Sequence, residues 1–93
     1  MSSDRTLRRE EALRQLELLA NANRQVSESE RIVAEWSALI GRMRAEGRDV
    51  TVACDLLETL KGNLEARRSN RDLIRQIVTD GARASPQPVS VPA

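Results

Sequence analysis

The sequence predicts an all-α fold, an antiparallel two-helix hairpin of coiled-coil type. Three observations predict it. Apolar residues recur at alternating steps of three and four through two long segments. One cluster between them, Glu46-Gly47-Arg48-Asp49, carries the punctuation that ends one helix and starts another. The 93 residues hold one Trp, no Phe and no Tyr, with 31% charged side chains. The chain thus lacks the aromatic area that fills a thick core, and elongated helices suit it better.

Ser2, Ser3 and Asp4 can each cap a helix by accepting an orphan backbone N–H, so residues 1–4 are expected to be a cap or disordered. Helix 1 is expected over about residues 5–46, a stretch with no Pro and Gly41 as its one Gly. Its seam reads Ala12, Leu16, Leu19, Ala22, Val26, Ser29, Val33, Trp36, Ile40 and Met43, widened by Leu13, Ile32 and Leu39. At 1.5 Å per residue such a helix is about 60 Å long. Residues 21–27 are poor in strong helix formers, and Ser27-x-x-Glu30 is a capping box. A break there gives a three-helix variant. The seam keeps its phase through the stretch, which predicts a continuous helix instead.

Gly47 can supply the left-handed residue that closes helix 1, and Asp49, or Thr51 as second choice, can cap helix 2. The bend is placed at residues 47–49 and helix 2 at about residues 50–80, with the seam Val50, Ala53, Leu57, Leu60, Leu64, Arg67, Arg71, Ile74 and Val78. Leu56 and Ile77 flank it, and Asp80-Gly81 is the expected stop. Residues 82–93, with three Pro, are expected to be a disordered tail. Folding back at the bend sets Ile40 against Leu57, Trp36 against Leu60, Val33 against Leu64, Ser29 against Arg67 or Arg68, and Leu19 against Val78. Helix 1 then outruns helix 2, leaving residues before about 17 unpartnered and Leu7, Leu13 and Leu16 in need of burial. Gly62, nearly opposite Trp36, is expected to make room for the indole.

Little in the chain points to chemistry. With no His, the commonest general base and metal ligand is missing, and one Cys makes neither a zinc site nor an internal disulfide. Gly41, Gly47 and Gly62 are isolated and form no phosphate-cradling loop. The carboxylates lie beside Arg on polar helix faces, as in Glu10 with Arg14 and Glu65 with Arg68. The expectation is a protein that is not an enzyme and has no cofactor, metal or catalytic residue. Cys54 reads as a small residue buried beside the seam, with a redox thiol or an intermolecular disulfide as the minority reading.

A net charge of +1 is no global signature for nucleic acid or anionic lipid. No apolar run approaches the ~20 residues that span a bilayer, and the N-terminus lacks the apolar core of a signal peptide. Cytoplasmic location is the resulting expectation, and integral membrane insertion is not expected.

Ile32 to Met43, then Ala45-Glu46-Gly47-Arg48-Asp49-Val50, then Ala53-x-x-Leu56-Leu57-x-x-Leu60-x-x-x-Leu64, resembles a loose group of short, uncharacterised bacterial helical-hairpin proteins. Their pattern is an Ile-rich helix, a Gly-Arg-Asp-Thr or Gly-His-Asp-Thr bend, Ala-x-x-Leu-Leu and a basic second helix. Val50 stands where that pattern has Thr. The resemblance covers about residues 24–78 and implies the hairpin fold. It implies no activity, cofactor or site residue.

The functional expectation is a protein–protein interaction or scaffold module that acts by helix packing, as a homodimer or bundle or with another helical protein. Candidate partner-binding residues are Leu7, Leu13, Leu16 and Leu19 on the overhang, and Arg67, Arg68, Arg71 and Arg75 on helix 2. The arginine stripe supports an alternative, a small dimeric nucleic-acid-binding protein, although no aromatic side chain stands nearby to stack on bases. A further alternative is peripheral membrane association through the N-terminal segment, where Arg5, Arg8, Arg9 and Arg14 accompany Leu.

Overall fold

A computed structural model describes residues 2–84, with side chains described for residues 5–81. The described residues form two α-helices, α1, Ser2–Ala45, and α2, Thr51–Ala84, packed along one another as an antiparallel hairpin. Three contacts set the direction and register. Arg44 Nη2 donates to Cys54 Sγ at 3.6 Å near the bend, and Arg68 Nη2 reaches Glu30 Oε2 at 3.1 Å in the middle. Gln15 meets Gly81 at the far end.

The bend forms as its residues dictate. Gly47 has φ +75°, the left-handed region that L side chains avoid. Its N–H donates to Arg44 O at 3.0 Å, and the Arg48 N–H donates to Met43 O at 2.9 Å. This pair of bonds is a Schellman cap, which satisfies the last carbonyls of α1. Asp49 then starts α2: its Oδ1 accepts from Thr51 N at 3.0 Å and from Thr51 Oγ1 at 2.7 Å. Those two bonds, the backbone one first, hold the Asp49 carboxyl below its ordinary pKa.

The α1 helix is unbroken through residues 21–27. Ala22 and Val26, within that stretch, are 3% and 2% exposed, so seam packing overrides weak local propensity. Glu30, the far member of the capping box, is engaged across the hairpin with Arg68 instead.

The buried core is thin. Among the described residues it consists of Ala22, Val26, Ile40, Ala53 and Leu64, all five on the expected seams. Leu19, Val33, Trp36, Met43, Leu57, Leu60, Ile74 and Val78 add half-buried contacts.

Several expectations need correction. Helix is present from Ser2, so residues 2–4 extend α1 rather than standing outside it. Asp80-Gly81 does not stop α2, which continues to Ala84; Gly81 lies against Gln15 of α1, and packing carries the helix past the glycine. The rest of the expected tail, residues 85–93, lies outside the described residues. Because α2 is longer than expected, the overhang is shorter. Arg8, Glu11, Ala12, Gln15 and Leu16 already line a hollow together with Val78 and Gly81. Gln15, not Leu16, takes the seam position there, since 15–19–22 restores the four-three step. Gly62 makes no room for Trp36: it is exposed, and a Cβ built on it meets no atom within 4 Å. Arg14 pairs with Glu11 rather than Glu10, whereas the Glu65–Arg68 pair forms at 2.7 Å.

Candidate interaction surface

The two sides of the hairpin differ in chemistry. One side carries the cross-helix pair Glu30–Arg68 and the Arg44–Cys54 contact. Arg68 donates to both Glu30 and Glu65, and these two bonds, Glu30's first, raise its pKa above the ordinary value. Cys54 is half-buried there as a free thiol.

The other side is uncharged over most of its length. A hollow lined by Ser29, Ile32, Leu60, Asn63 and Arg67 places Ile32 of α1 and Asn63 of α2 on it. Steps of seven from these two residues stay on the same side of a paired helix. They reach Leu18, Gln25, Leu39 and, as the charged member of the line, Glu11 on α1, and Leu56, Asn70 and Ile77 on α2. Next to the latter on α2 stand Val52, Thr59, Ala66 and Leu73. Taken in order, Val52, Leu56, Thr59, Asn63, Ala66, Asn70, Leu73 and Ile77 form a second stripe on α2 in alternating steps of four and three. All eight are exposed, and none is charged. At 1.5 Å per residue the stripe is about 37 Å long. Glu35 and Arg42, which share a shallow hollow with Trp36 and Leu39, provide a charged rim on the α1 edge.

The candidate leucines do not form one patch. Leu19 is half-buried in the seam against α2. Leu7, Leu13 and Leu16 are all more than half exposed. Leu13 and Leu16, three apart, share one face. Leu7 and Leu18, eleven apart, share another, on the uncharged side.

The arginine stripe is largely engaged. Arg71 is half-buried and bonds Asp72 Oδ1 through Nε and Nη2, at 3.1 and 3.0 Å. Arg75 lies 3.8 Å from the same carboxylate. Arg67 is exposed and pairs with no carboxylate among the described residues. Of the two arginines expected opposite Ser29, Arg67 lines a hollow with it, and Arg68 is drawn across the hairpin by Glu30.

No protein-family model, curated protein or solved structure matches the chain.

Among the described residues no group of three or more His, Cys, Asp or Glu side chains could hold a metal ion, and no helix is long and apolar enough to cross a membrane. The sequence reading missed the α2 stripe. Its signal was available: Leu56 and Ile77, recognised as flanks of the main seam, are the α2 residues from which the second four-three repeat is counted.

Proposed function

We propose that this protein is a non-catalytic interaction or scaffold module that works by helix packing, its uncharged side being the surface that a protein partner covers. One observation carries the reading: among the described residues nine large aliphatic side chains are exposed, against a buried core of five residues. Seven of the nine (Leu7, Leu18, Leu39, Val52, Leu56, Leu73 and Ile77) lie on the uncharged side. Exposed aliphatic side chains gathered on one side, here in two groups about a neutral polar centre, mark a site of association. The arginines speak less for nucleic acid, since Arg68, Arg71 and Arg75 are already balanced by Glu30, Glu65 and Asp72.

Photo-crosslinking in the native cell tests the reading. A benzophenone side chain at position 56 or 73 is expected to give protein adducts, and one at position 31, among Glu28 and Glu35, none. Crosslinks to lipid or nucleic acid alone, or none at position 56 or 73, would overturn it.

A further inference from the structure

We infer that the occupant of the uncharged side is a second copy of this chain, docked with its α2 antiparallel to the first α2 about a two-fold axis between residues 64 and 65. The inference rests on the interaction-module reading and specifies its partner.

The stripe reads the same in chemistry from either end. Turned about that axis, Val52 meets Ile77 of the second copy, Leu56 meets Leu73, Thr59 meets Asn70, and Asn63 meets Ala66. Aliphatic ends lie on aliphatic ends, and the polar centre lies on the polar centre. That is what an isologous interface requires, since one patch must complement itself. A hydroxyl opposite an amide can exchange a hydrogen bond, and an amide opposite alanine has room. The stripe carries no charge that would be buried against its own copy.

A further feature agrees. Gly62 and Ser69, beside the stripe on either side of the axis, are small and exposed, so the two α2 backbones can approach closely there. Gly62 has no packing role within the hairpin, because a Cβ on it meets nothing. Arg67 and Asp55 are the charges on α2 that border the stripe; Asp55 lies toward the Val52 end, and Arg67, near the axis, gains the Thr59 hydroxyl and the Asn63 and Asn70 carbonyls as acceptors.

The test is a charge exchange read by sedimentation equilibrium on the full chain. The wild type is expected at twice the mass of the 10.4 kDa chain at tens of micromolar. Leu56→Glu alone and Leu73→Lys alone are each expected to halve that mass. Both residues are exposed in the single hairpin, so helicity by circular dichroism should be retained. Mixing the two variants should restore the doubled mass, because only antiparallel docking puts the new Glu opposite the new Lys. A monomeric wild type, or no recovery on mixing, would overturn the inference. A monomeric wild type that still crosslinks to another protein from position 56 would overturn the second copy alone and leave the interaction module standing.

Discussion

Replacing Gly47 by alanine of either hand isolates what the bend contributes to the hairpin. Gly47 sits at φ +75°, and a Cβ there meets no atom within 4 Å. Any effect of an added methyl group therefore comes from the backbone and not from a clash. An L-residue in the left-handed region costs about 1–2 kcal/mol. Restricting the unfolded chain offsets about 0.4–1 kcal/mol of this, so Gly47→Ala should destabilise by roughly 1 kcal/mol. D-alanine introduced at position 47 by chemical ligation has the same unfolded-state effect without the penalty, and should stabilise by about 0.4–1 kcal/mol. The two proteins differ by the left-handed cost alone. Urea unfolding followed by circular dichroism, at one fixed protein concentration, measures that difference. Equal stabilities for the two hands would refute the account of the bend, and with it the reason that α1 ends where it does.

Other predictions address the seam, the exposed glycine and the cap. Leu64→Ala, at a position 6% exposed, should cost about 2–5 kcal/mol in the same urea assay; a loss near zero would remove Leu64 from the core. Gly62→Ala should raise hairpin stability by about 0.5–1 kcal/mol at high dilution, and Gly62→Leu should leave the Trp36 emission wavelength unchanged. A spectral shift would restore the glycine–indole contact. The Asp49 carboxyl has a folded-state pKa below its unfolded value, owing first to the Thr51 N–H and then to the Thr51 hydroxyl. Its stabilisation is complete above the unfolded pKa and is lost as pH falls through the folded one. Asp49→Asn should therefore flatten part of the acid limb of stability against pH, and an unchanged limb would show that the cap contributes nothing.

The hairpin was legible in the sequence because its determinants are local and periodic. Gly47 could be read as a left-handed stop and Asp49 as a cap, since each acts on backbone groups within a few residues. Val26, Ile40, Ala53 and Leu64 could be placed in the core from step length alone. The failures occur where the opposing helix decides. Spacing left Arg67 and Arg68 both open opposite Ser29, and it is Glu30 that decides which of them bonds across the hairpin. Asp80-Gly81 looked like a stop, but α1 is long enough for Gln15 to meet Gly81 and for α2 to continue. The α2 stripe was hidden for a related reason. Thr59, Asn63, Ala66 and Asn70 are weak signals one at a time, and their shared neutrality becomes visible only once the charged side is located.

Among the described residues, two long helices around five buried side chains leave an uncharged side with exposed aliphatic residues that association would cover. Thermal unfolding at several protein concentrations tests this most directly. If the uncharged side is covered by a second copy, the midpoint should rise steadily over about a hundredfold increase in concentration, because the associated state gains stability by mass action. The rise should vanish in Leu56→Glu. A midpoint independent of concentration in the wild type would contradict the account of the uncharged side as a self-docking surface.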